Sequence, residues 1–486
     1  MAISVDAYRA RLEAMNADSG EEWYRHFAGL KPTLELAAVD EEFEELFTLE
    51  ACQELAAAEA PAELRRAAVE GHLTAATRPI TDRVATREAV LEVTVQGQAI
   101  PYREVAPALV NEPDAMRRRA LYDARSAVVE DAINPMLDEA LAVERERVVE
   151  LGAATMRELY EGFGWDLDGL LAMTEDVIAQ TERLHERELD RALRSRVGVP
   201  LDSAGPQDAS RLWRAPEFDT AFPADRALPA LRGTLEGMGI HLDRQPNIEL
   251  DIEGRPGKIP RAFCAPILVP DRVMLVILPQ GGHDDWLALF HEAGHAQHFG
   301  HMSRMLPAEA RVRGDNGVTE GWAFLFDHLV TTPAWLGWRM EAPPADYARF
   351  NALYDLHLLR RYCGKLAYEL ELQGGASPDV LGDRYVHHLR RATLVAPPEA
   401  NRLVDVDPLL YCTSYLRAWA FAAQVSRYLE ERWGREWFRR RQAGLLLREL
   451  WELGQSLDAD RLLHELTGET LSFEPLLERT RERLAA

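Results

Sequence analysis

Two histidines one helical turn apart, with a glutamate beside the first, constrain this chain more than anything else in its 486 residues. In His291-Glu292-Ala293-Gly294-His295, positions i and i+4 share a helix face, so both imidazoles reach one ion without bending the backbone. Glu292 falls on the neighbouring face, close enough to take a proton from a metal-held water without being a ligand. Imidazole nitrogen suits zinc, and a hydrolytic zinc site has three protein ligands and an open position. The pattern predicts a hydrolase holding one zinc ion per chain, and among hydrolases a peptidase.

The flanks of the motif predict a helix. Gly281 and Gly282 break the chain ahead of it, and Asp284 or Asp285 is placed to cap the first free N–H groups. Trp286, Leu289, Phe290 and Ala293 recur at three- and four-residue steps, a stripe that buries the helix beside its metal face. The expected third ligand is Glu320, in the first turn of a second helix that Thr319 or Asp315 is placed to cap. Pro307 and Gly314 let the chain reverse between the two helices. His298 and His301 compete with Glu320. His298 reads as a packing residue or a support for the ligands. His301 follows Gly300, where the helix should end, and reads as exposed.

Charge narrows the partners. With 80 acidic and 55 basic residues the chain carries a formal −25, which argues against nucleic acid and anionic membranes. No apolar run approaches the ~20 residues that span a bilayer, and Met1-Ala2-Ile3-Ser4-Val5-Asp6 lacks the pattern of a signal peptide. Cys52, Cys264, Cys363 and Cys412 are scattered, with neither metal spacing nor a disulfide framework. A cytoplasmic protein with free thiols is the expectation.

Residues 1 to about 90 and 107 to 197 have helical patterning, and Val90 to Pro101 alternates like a small hairpin. Residues 198–226, richer in Pro, Asp and Ser, read as a connection. From Asn247 to Leu278 three short segments read as strands immediately before the metal helix, where zinc peptidases commonly hold an extended substrate against an edge strand. The remainder returns to helix. The expected division is an N-terminal helical lobe, 1–200, and a zinc-binding catalytic lobe, 201–486.

The succession Gly257-Lys258-Ile259-Pro260-Arg261-Ala262-Phe263-Cys264, then a strand, then His291-Glu292-Ala293-Gly294-His295-Ala296-Gln297-His298 resembles the thimet oligopeptidase and oligoendopeptidase F family of zinc metallopeptidases. Glu320-Gly321-Trp322 is similar to that family's Glu-x-Trp, and Tyr411-Cys412-Thr413-Ser414-Tyr415 to its tyrosine-rich closing segment. The resemblance covers roughly residues 245 to 470. It implies a mainly α, two-lobed helical zincin of neurolysin type, with a small sheet beside the zinc helix and a deep channel admitting short peptides. It also implies His291, His295 and Glu320 as zinc ligands and Glu292 as general base. Tyr411 and Tyr415 would be donors to the oxyanion or the peptide backbone; for either alone, burial with a satisfied hydroxyl is an equal expectation.

The chain departs from that pattern in lacking a histidine shortly before the tyrosines, where Val404 to Leu410 stand. His387 or His388 is a distant substitute, although both read as exposed helix residues. Arg417 has the planar fork to bind a peptide carboxylate, but its helical setting favours a structural ion pair. Two other functions fit the same residues: a zinc carboxypeptidase trimming peptide C-termini, and a catalytically silent peptide-binding zincin. The intact Glu292 argues against the silent form, since a pure binding site needs no base.

Overall fold

Helices form where apolar residues recur at three- and four-residue steps, and a sheet forms where they run together. In the computed structural model, which describes residues 4–340 and 344–485, the first helix is Val5–Phe27. Ser4 caps it, accepting from the Ala7 N–H at 3.2 Å, and Tyr8, Leu12 and Met15 face inward. Met1, Ala2, Ile3 and Pro343 lie outside the described residues. The chain is mainly helical with two small sheets. Among the described residues no helix is long and apolar enough to cross a membrane. All four cysteines are free thiols.

The chain groups into two compact units drawn from separated stretches. One comprises Met1–Ala68, Pro216–Asn351 and Ser414–Arg483; the other comprises Val69–Ala215, Ala352–Thr413 and Leu484–Ala486. Composition along the sequence cannot reveal a chain that leaves a unit and returns to it.

The second of these units holds the hairpin. Strands β1 (Glu92–Val95) and β2 (Gln98–Pro101) pair antiparallel, joined through Gln96 and Gly97, both at positive φ, as a two-residue turn requires. Val93 and Val95 pack with Tyr102, Val105, Leu121 and Ile133. The stretch 198–226 is not merely a connection: it contains the helix Pro206–Arg214. Pro206 sits where a missing N–H costs nothing. The Asp208 carboxylate accepts from the Gly205 N–H at 3.0 Å and pairs with buried Arg118 at 2.6 Å. The prolines that read as loop punctuation serve here to start a helix.

The first unit carries a three-stranded sheet in the order β3-β5-β4, with β3 at Ile248–Asp251, β4 at Phe263–Leu268 and β5 at Arg272–Val276. Val273 to Val276 are all buried, as befits the central strand. β3 runs parallel to β5, while β4 runs antiparallel to it and has no strand on its outer side. Helix Val5–Phe27 lies along β4, with Tyr24 and Ala28 packed on Ala265, Ile267 and Met274. The loop into β4 is pinned by Lys258, whose buried ammonium donates to the Asp251 carboxylate at 2.9 Å and to the carbonyls of Asp251 and Glu253. Burial would raise the Asp251 carboxyl, but Arg255 and Lys258 outweigh it and hold the group below its usual range.

Candidate metal centre

The metal helix runs His283–His301 and buries Trp286, Leu289, Phe290, Ala293 and Ala296. Its cap differs from expectation. Gly282, at φ 95°, is the N-cap and offers no side chain. The Asp285 carboxylate instead turns back to accept from the N–H groups of Gln280 and Gly281, both at 3.0 Å. The second helix, Asn316–Leu329, is capped by Asp315, which accepts from the Gly317 N–H at 2.9 Å. The two helices meet at Gly294. A Cβ there would fall 2.6 Å from the Ala323 Cα and 2.7 Å from the Trp322 carbonyl oxygen, so only glycine permits this approach. The crossing brings Glu320 to the two imidazoles.

The Glu320 Oε2 lies 3.4 Å from His291 Nε2 and 3.6 Å from His295 Nε2. Ligand atoms of all three residues fall within 4.8 Å of one another. Tetrahedral zinc with bonds near 2.1 Å has its ligand atoms about 3.4 Å apart, close to the two separations between Glu320 and the imidazoles. Each imidazole is also oriented from behind. His291 Nδ1–H donates to the Asp327 Oδ2 at 3.0 Å, and His295 Nδ1–H to the Thr319 hydroxyl at 3.0 Å, leaving both Nε2 lone pairs toward Glu320.

Electrostatics agree with the geometry. Burial opposes a charge on His291, but Asp327 and Glu320 outweigh it and raise the imidazole to about 10. Burial likewise opposes ionised Glu320, yet His295 and His291 hold its carboxyl far below the ordinary range. This pocket of buried negative charge favours a cation at its centre.

Glu292 lies beside His291 on the same helix, and its Oε2 accepts from the backbone N–H of Cys264 on β4 at 2.9 Å. The carboxylate is thus held between the metal helix and the edge strand. Tyr415 stands nearby through a chain of rings: Phe324 is 5.1 Å from His291, and Tyr415 is 5.9 Å from Phe324. Tyr411 belongs to the other unit, just after the short turn Pro408–Leu410.

The competing residues are placed elsewhere. His298 is fully buried with Nε2 3.4 Å from the Gly454 carbonyl, and burial pushes it down to about 3. His301 is not solvent-exposed as expected: the helix extends to include it, and its ring rests against Trp451 at 5.3 Å. His387 is exposed, and His388 meets Glu371 at 2.9 Å. Arg417 forms the structural pair, with Asp315 at 2.9 Å and Asp460 at 2.6 Å.

Sequence reasoning missed Asp327, Thr319 and the crossing role of Gly294. Asp327 had a readable signal, because it lies two turns beyond Glu320 on the same helix face. Thr319 read as a cap and instead orients a ligand. The fold and site define a mainly helical protein with a buried His-His-Glu group able to hold a metal ion. No family model matches the chain, and no curated protein matches it.

Proposed function

We propose that this chain is a zinc-dependent peptidase that hydrolyses short oligopeptides. The observation that carries the reading is the placement of Glu292: it follows His291 of the His-His-Glu group on the metal helix, and its carboxylate accepts from the edge strand at Cys264. A metal-binding site alone has no use for a carboxylate in that position, whereas hydrolysis needs a base beside the attacking water. The restriction to short peptides rests on the resemblance of the sequence motifs.

His291, His295 and Glu320 would hold the zinc ion, which when bound would supply a water of lowered pKa and a Lewis acid for the scissile carbonyl. Asp327 and Thr319 keep the imidazoles in the tautomer that ligates. β4 pairs with no strand but β5, and an extended peptide is proposed to bond the remaining backbone groups of this edge strand. Glu292 accepts the proton of the attacking water and returns it to the leaving amine. The Tyr415 hydroxyl stabilises the developing oxyanion; one such donor contributes about 2.7–4 kcal/mol.

The test is cleavage of internally quenched peptides with free and amidated C-termini, with and without chelator. The expected result is internal cleavage of both forms, lost with chelator and restored by zinc. Loss of cleavage on amidation would point to a carboxypeptidase. Zinc bound without cleavage across a diverse peptide library would overturn the enzymatic reading.

A further inference from the structure

The last turn of the metal helix opens onto a concavity of about 540 Å³ that the metal chemistry does not use. Arg244, Arg441, Arg448, Gln245, His301 and Glu236 line it. Several guanidinium groups elsewhere in this chain meet carboxylates: Arg118 meets Asp208, Arg255 meets Asp251, and Arg417 meets Asp315 and Asp460. Those here do not. Among the described residues nothing accepts from the side chains of Arg244 or Arg441, and the Arg448 side chain makes only a long bond, 3.3 Å, to the Gly444 carbonyl of its own helix. Neighbouring Asp243 is engaged by Arg232. Glu236 is the one carboxylate among the lining residues.

The floor of the cavity is built and saturated. His301 Nδ1–H donates to the Gln297 carbonyl at 2.8 Å, so Nε2 of the neutral ring accepts from the Gln245 amide at 3.3 Å. The Gln245 and Gln297 amides bond each other in both directions, at 3.0 and 3.2 Å. Burial holds His301 below its ordinary pKa and hence uncharged. The wall is fixed by glycine: Gly239, at φ +72°, has no Cβ, and one there would lie 3.0 Å from the Arg441 Cγ. With the floor's groups satisfied, the open hydrogen-bonding capacity belongs to the arginines.

Three guanidinium groups against one carboxylate leave a surplus of two positive charges in a chain whose formal charge is −25. A dianion with several acceptor oxygens matches that surplus, and the planar guanidinium fork suits phosphate oxygens. The volume exceeds what a bare phosphate fills and falls in the range of small-molecule sites, roughly 300–1,000 Å³. No Phe, Tyr or Trp lines the cavity, whose lining is chiefly polar. We infer that this cavity binds the phosphate ester of a small, polar molecule through Arg244, Arg441 and Arg448.

Isothermal titration at low ionic strength tests this, with glucose 6-phosphate as probe and glucose and inorganic phosphate as controls. The ester is expected to bind saturably at one site. Glucose should not bind, and inorganic phosphate should compete with about tenfold lower affinity. Arg244→Ala and Arg441→Ala should each weaken the ester about tenfold or more, the loss of one charge-assisted contact, and the double variant should abolish binding. Both side chains belong to exposed residues, so the variants should melt at the wild-type temperature. No saturable binding of glucose 6-phosphate, or undiminished binding by the double variant, would overturn the site. Inorganic phosphate binding as tightly as the ester would overturn the assignment to an ester.

Discussion

The middle and the end of helix His283–His301 treat charge in opposite ways. In the middle, His291 and His295 face Glu320 and are each anchored by a group behind them, Asp327 or Thr319. Both imidazoles there are arranged by neighbours within the protein. At the end, the amides and His301 are equally well arranged, but among the described residues the side chains of Arg244 and Arg441 have no acceptor within the protein and Arg448 has only the Gly444 carbonyl. The difference teaches that a carboxylate-rich buried cluster asks for a cation, whereas a cluster of open guanidinium groups asks for an anion from solution. One helix carries both.

The comparison is broken most forcefully at Glu292. Glu292→Gln should keep zinc and lower kcat by about 10²–10⁴-fold, the usual contribution of a positioned acid–base group; steady-state kinetics with metal analysis of the same sample reads both. Asp327→Asn leaves an acceptor for His291 but removes its charge, and zinc affinity should fall about 10–100-fold in a competition titration. Ester binding at the arginine cavity should not change in that variant, which separates the two ends of the helix.

Smaller effects sharpen the account. Gly294→Ala forces a methyl against the backbone of the second helix, and should cost roughly 1–3 kcal/mol in chemical denaturation while weakening zinc retention. Asp315→Asn preserves a cap but removes the charge facing buried Arg417, at about 1–2 kcal/mol near neutral pH. Burial raises the Asp315 carboxyl, but Arg417 and the N–H groups of Ala459 and Gly317 outweigh it, so its pKa is depressed. Its unfolded value is near 3.9. Its stabilisation is therefore complete above about pH 4 and is lost as pH falls through the folded value. The melting-temperature gap between wild type and Asp315→Asn should be widest near neutral pH and close in acid.

How much of this the sequence disclosed follows from distance along the chain. His291 and His295 are related by one helical turn, a spacing visible in five residues, and the strands β3 to β5 declare themselves by apolar alternation. Glu320 needed only one chain reversal, which Pro307 and Gly314 signalled. The arginine cavity was illegible because Arg244, His301 and Arg441 come from three separated segments, and no periodicity links them. The helix Pro206–Arg214 was hidden for another reason: Pro at a helix start and Pro in a loop look alike until the Asp208 cap is seen. The two units drawn from alternating stretches were hidden because composition is a linear property and the fold is not.

Zinc titration of the metal-free chain tests the central claim most directly, with wild type and Glu320→Ala compared under a competing chelator. The account predicts one ion per wild-type chain and an affinity at least about 100-fold weaker in the variant, since a charged ligand is lost outright. A wild-type chain that binds no zinc, or a Glu320→Ala chain that binds it equally well, would contradict it.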